Sequence, residues 1–135
     1  MKNIVLAYDG SDPAKRALER TAELADGAAV TVVSAVHILA VSGRAGAVID
    51  QDEVAERKQE LTDAAQYLRA KGIEHKTVEA HGLDAGDAIL EEARGAAADL
   101  IVVGSSGKNL AERIVLGSVS SKVVHGSPCD VLVVR

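Results

Sequence analysis

Two short stretches of this chain carry the residue types that hold an anion. One is Ala7-Tyr8-Asp9-Gly10-Ser11, and the other runs from Gly104-Ser105-Ser106-Gly107 to Gly117-Ser118-Val119-Ser120-Ser121. Glycines let the backbone approach a bulky ligand and adopt conformations closed to other residues. Successive amides in such a turn form a concave nest for anions. Gly117 and Ser118 stand where a helix should open, and the free N–H groups and positive dipole end of a helix favour a phosphate. Ser118 and Ser120 offer hydroxyl donors, while Lys108 and Arg113 offer positive charge.

The same residues have plainer uses. Glycines make turns, Ser118 suits a helix N-cap, and Asp9 suits a turn into the first helix. Two better-known phosphate motifs are missing. Gly104-Ser105-Ser106-Gly107-Lys108-Asn109 fails the spacing of GxxxxGK[ST], and no GxGxxG follows the first apolar run. A P-loop ATPase or a dinucleotide dehydrogenase is therefore disfavoured.

The elements that must position these stretches are legible as alternating strands and helices. Apolar, β-branched runs lie at Asn3 to Tyr8, Val30 to Val36, His75 to Ala80, Leu100 to Val103 and Val131 to Val134. Four of them are nearly continuous in apolar residues, as strands covered on both faces are. Helical spacing occupies the intervals. Asp12-Pro13 opens a first helix carrying Ala14, Ala17, Leu18, Thr21, Ala22 and Ala25. A second runs from about Asp52 to Lys71, with Val54, Leu61, Ala65 and Leu68 on one stripe. A third begins near Asp84, with Asp87 as a capping acid. A fourth starts at Gly117-Ser118 and ends by Gly126. Leu39 to Ile49 reads as a surface loop. This alternation predicts a single doubly wound α/β domain over residues 1–135, its ligand site beyond the carboxyl ends of the strands.

Composition narrows the partners. The 135 residues carry a formal net charge of −5 and no dense basic stripe, which argues against nucleic acid or an anionic membrane. Phe and Trp are absent, so there is no aromatic platform for single-stranded bases. No apolar run is long enough to span a bilayer. Cys129 is the only cysteine and has no internal disulfide partner, which points to a reducing, cytoplasmic compartment. His37, His75, His81 and His125 lack the spacing of a zinc site.

The spacing Gly104-x2-Gly107-x9-Gly117-Ser118, with Ala7-Tyr8-Asp9-Gly10-Ser11 and the closing Ser127-Pro128-Cys129-Asp130-Val131-Leu132-Val133-Val134, resembles the universal stress protein family. The resemblance covers essentially the whole chain, and in that family the glycine spacing marks the ATP-binding members. It implies a five-stranded parallel sheet of order 3-2-1-4-5 flanked by four helices. It also implies that Asp9 contacts the nucleoside, with Ala7 beside it, and that Ala35 and Val36 meet the adenine through backbone. Where the family usually has His-Val, this chain has Ser34-Ala35. Gly104 and Gly107 match the ribose and phosphate glycines, and Gly117, Ser118, Val119 and Ser120 the phosphate-binding turn. ATP is the implied ligand, with Mg²⁺ carried on its phosphates. The last strand, residues 130–134, is implied to pair across a homodimer. Glu112 is the only acid in the loop, so nucleotide-responsive binding rather than turnover is the expected role, although slow ATP hydrolysis or phosphate transfer to a serine fits the resemblance. AMP or cyclic AMP binding, or a nucleotide-free interaction module, are the alternatives.

Overall fold

A computed structural model of the chain describes residues 1–40, 47–82, 84–105 and 116–135. The expectations resting on Ser106, Gly107, Lys108, Glu112 and Arg113 lie outside the described residues. In order, the elements are β1 (Asn3–Ala7), α1 (Asp12–Leu24), β2 (Ala29–Ala40), β3 (Ala47–Ile49), α2 (Gln51–Ala70), β4 (His75–Gly82), α3 (Ala85–Gly95), β5 (Leu100–Gly104), α4 (Ser118–Gly126) and β6 (Asp130–Val134).

Five strands pair in parallel in the order β4-β2-β1-β5-β6, which is 3-2-1-4-5 when only these five are numbered. The continuous apolar runs of the central strands have the expected cause: β1, β2 and β5 are covered on both faces. Ile4, Leu6, Val30, Val32 and Val102 face Ala17 and Leu18 of α1 and Leu61, Ala64 and Leu68 of α2. Val5, Val33, Ile101 and Val103 alternate to the other face, against Ile89, Leu90 and Ala93 of α3 and Val123 of α4. Apart from Tyr8 and the half-buried Tyr67, the described core side chains are aliphatic, which allows close helix-on-sheet packing.

Two boundaries differ from the sequence reading. The segment Leu39 to Ile49 is not wholly loop, because β2 runs on to Ala40 and β3 pairs back on it antiparallel, Ile38 opposite Ile49. The polar, glycine-rich centre of that segment hides a short ribbon too brief to register as alternation. The cap of α1 is Ser11, whose Oγ accepts from Ala14 N at 3.3 Å, and not Asp12, which is instead the acid of the first turn. The other caps follow the sequence more closely: Asp50 accepts from Asp52 N, and Asp84 from Asp87 N.

The amino ends of β1 and β5 are tied by a carboxylate. Asp99 accepts from Lys2 N at 2.7 Å and Asn3 N at 2.8 Å, and these bonds hold its pKa below the ordinary value. The opposite end of β5 is fixed by shape. A Cβ on Gly104 would lie 2.8 Å from the Pro13 carbonyl carbon and 2.9 Å from Ala14 N. Gly104 therefore has its sequence-expected close approach, but to the first turn of α1. It is not among the glycines with positive φ, which among the described residues are Gly10, Gly27 and Gly72. Because backbone cannot yield as a flexible side chain does, Gly104→Ala should cost about 1–3 kcal/mol, read as a lowered urea midpoint at unchanged slope.

Candidate functional site

A cleft of about 350 Å³ opens at the carboxyl ends of β1, β2 and β5. That is where an open α/β sheet receives ligands, and the size is within the range of small-molecule sites. The sequence-expected residues converge on it from separate elements. Ala7 and Asp9 come from the end of β1, Ala35 from β2, Gly104 from the end of β5, and Gly117 through Ser120 from the start of α4. Val36 is buried and is not on the cleft wall.

The β1–α1 turn is built by Asp9 and Gly10. Asp9 Oδ1 accepts from Ser11 N at 3.0 Å, so the plainer role of turn former is realised. The carboxylate is nevertheless exposed on the cleft wall, and the two uses are compatible. Gly10 takes a φ of +76°, a region that suits glycine, and a Cβ there would lie 3.0 Å from Cγ of Glu60.

At the other end of the cleft α4 begins without a side-chain cap. Gly117 is its N-cap with extended backbone, and no side chain accepts from the first turn. The carbonyl of Gly117 accepts from Ser121 N, which leaves the N–H groups of Ser118, Val119 and Ser120 without helical partners. The Ser120 hydroxyl is committed: it donates to the Gly117 carbonyl at 3.1 Å. It is therefore not the extra donor that the sequence suggested, although its backbone N–H stays available.

Two lining serines had no binding role in the sequence reading, which named Ser105 as part of a glycine turn and Ser34 as a departure from the family pattern. Ser34 is fully buried on β2 and Ser105 is 5 % exposed after β5, and neither hydroxyl oxygen has a hydrogen-bond partner among the described residues. Buried hydroxyls without partners are uncommon in native proteins, and a ligand or a water can satisfy them. Ser34 stands where the family resemblance has a histidine, and nothing in its type announced a role.

Arg57 of α2 also lines the cleft, unforeseen because α2 reads as an ordinary amphipathic helix. Its Nη2 donates to Glu60 Oε1 at 2.7 Å, while Nε lies 2.7 Å from Glu60 Oε2 as an ion-pair contact without hydrogen-bond alignment. Glu56 adds a second carboxylate 3.6 Å from Nη2. Burial pushes the Glu60 pKa up from 4.5, Arg57 opposes this, and Asp9 and Glu56 reinforce it. Burial likewise raises the Tyr8 phenol, helped by Asp63, Glu60 and Asp9. The cleft is thus two-ended, with unpaired N–H groups beside α4 and acidic groups beneath α2.

The remaining histidines serve locally. His75 Nδ1 lies 2.8 Å from the Ile73 carbonyl, His81 Nε2 lies 2.9 Å from Glu79 and His125 Nδ1 lies 2.7 Å from the Ser121 carbonyl. Among the described residues no group of three or more His, Cys, Asp or Glu gathers as a metal site, and no helix is long and apolar enough to cross a membrane.

The raised Glu60 pKa has a definite sign. Below pH 4.5 the group is protonated in both folded and unfolded chains, and the stability this gives is lost as pH rises through the elevated folded value. Glu60→Gln, which stays neutral, should therefore gain stability relative to the parent across that window in thermal melts. A constant difference across pH would contradict it.

Comparison with known proteins agrees with this architecture. The sequence profile of the universal stress protein family matches residues 1–135. A universal stress protein of Thermus aquaticus is 36% identical over 137 residues, covering 99% of this chain and 98% of that one. Among solved structures, the universal stress protein of Archaeoglobus fulgidus in complex with dAMP superposes with a TM-score of 0.77 at 28% identity, covering 100% of this chain and 98% of that one. A universal stress protein in complex with cAMP gives 0.76 at 30% identity, covering 99% and 97%. With its profile match end to end and its sheet order in agreement, the chain belongs to the universal stress protein family.

Proposed function

We propose that this chain binds ATP in the cleft, its phosphates against the opening turn of α4 and its nucleoside toward Asp9 and Ala35. The observation that carries this reading is the uncapped start of α4, whose N–H groups lack helical partners and whose residues Gly117 to Ser120 line the same cleft as two unpartnered serine hydroxyls. An anion there meets oriented donors and the positive end of a helix dipole. Mg²⁺ would arrive on the phosphates, since the described lining residues include one carboxylate, Asp9, at the nucleoside end. The complexes of two relatives with dAMP and cAMP support an adenine nucleotide as the ligand class. They also keep AMP and cyclic AMP as the second reading.

In this proposal the protein is a cytoplasmic, nucleotide-responsive regulator of a stress response rather than a catalyst. Hydrolysis needs a positioned base or water-orienting group at the phosphate end. Gly117 through Ser120 supply donors there and no base. Ligand binding would shift the protein toward a state that partners recognise. We further propose a homodimer through residues 130–134. Among the described residues β6 is an edge strand bonded to β5 alone, and an apolar edge favours pairing with a second chain.

Calorimetry with ATP, AMP and cyclic AMP tests the ligand. Gly117→Val should weaken ATP binding at least about tenfold, because a branched side chain would crowd the oriented amides. The fold should survive, since Gly117 has a φ of −65° that any residue adopts. Unchanged ATP affinity in the folded variant would overturn the site. Sedimentation at micromolar concentration should show a dimer, and a monomer would overturn the β6 interface.

A further inference from the structure

Arg57 is the one cationic side chain among the described residues that line the cleft, and its charge is already balanced. Glu60 meets it at two points, each 2.7 Å, and Glu56 lies 3.6 Å away. Both Arg57 and Glu60 are about four-fifths buried, with side-chain exposures of 20% and 19%. Asp9 stands close enough to act on both Glu60 and Tyr8, and Asp63 on Tyr8. A phosphate placed here would face more negative charge than positive.

The layout of the sheet points the same way. The free amides of α4 follow β5, whereas α2 packs over β2 and β4. β1 lies between β2 and β5, so the strands that carry the two ends lie two strand spacings apart, about 10 Å. A nucleotide with its phosphates on α4 therefore extends its neutral end toward Arg57. What Arg57 offers there is a planar guanidinium held in place by a carboxylate, with unused N–H donors. Guanidinium planes stack on heterocycles and hydrogen-bond their ring nitrogens. In a chain with no Phe or Trp, where Tyr8 is the one aromatic among the described residues of the cleft wall, such a plane is a second flat surface.

We propose that Arg57 is the residue that reads the base of the bound nucleotide, with Glu60 as the positioning residue that holds its plane. This assignment rests on the nucleotide-binding reading above and adds to it the source of base selectivity. A two-ring purine covers more of a guanidinium plane than a one-ring pyrimidine and presents more ring-nitrogen acceptors. The preference for ATP over UTP should therefore depend on Arg57.

The test is competition of ATP and UTP for the full-length protein, with Arg57→Leu, Arg57→Lys and Glu60→Gln beside the parent. Arg57→Leu should narrow the ATP-over-UTP ratio by about tenfold, the size of a lost stacking contact. Arg57→Lys, which keeps the charge and the ion pair but loses the plane, should narrow it similarly, and Glu60→Gln should narrow it less. A loss of affinity equal for ATP and UTP would show a phosphate contact or a merely structural role and overturn the assignment. So would a lysine variant indistinguishable from the parent, or a parent that does not prefer ATP. A parent that binds neither nucleotide would instead overturn the nucleotide-binding reading itself, and this assignment with it.

Discussion

The backbone amides at the head of α4 have no partners inside their own helix, and much of the molecule is arranged so that they open into a cleft. β1 sits at the centre of the sheet with β2 on one side and β5 on the other. Chain leaving β1 crosses toward one edge, and chain arriving at β5 serves the other, so their carboxyl ends part and leave a crevice between two turns. Asp9-Gly10-Ser11 forms one lip, and Gly117 to Ser120 the other. The tight seat of Pro13 and Ala14 on Gly104 holds α1 down beside that crevice. Without it the first turn of α1 would have to ride outward, and the lip that carries Asp9 would move with it.

Electrostatics divide the cleft more sharply than its outline does. At α4 the donors are neutral amides and a helix dipole. At α2 a guanidinium is closed in by Glu60 and Glu56, and Asp9 is near enough to act on Glu60. The formal charge of −5 is thus not spread evenly with respect to the site. A ligand with one anionic end and one neutral, planar end meets a complementary environment in one orientation only. Specificity of orientation arises here from where charge is withheld as much as from where it is supplied.

Much of this was legible in the residues. Continuous Val, Ile and Leu runs gave away strands covered on both faces, and Pro13, Gly72 and Gly126 marked helix ends. The phosphate-side glycines stood out because their spacing is regular and resembles one family. Other features were hidden for physical reasons. β3 is three residues long, too short for any period to show. Gly104 lines the cleft as its type suggested, but its missing side chain also admits α1, a contact between residues some ninety positions apart that no local pattern encodes. Ser34 and Arg57 are commonplace types on a strand and a helix, and only the packing of α2 over β2 brings them to the same wall. The Ser120 hydroxyl was assigned outward by type and turns inward to Gly117.

The scarcity of aromatic rings has a consequence for optical work. The chain contains two tyrosines and no tryptophan or phenylalanine. Tyr67 lies on α2 with the Lys71 ammonium 5.6 Å from its ring centre, while Tyr8 forms part of the cleft wall beside Asp9. Near-ultraviolet absorption and emission therefore come from two chromophores alone, one of them at the crevice. Spectral changes there report on a single known place, with no background from a distant indole.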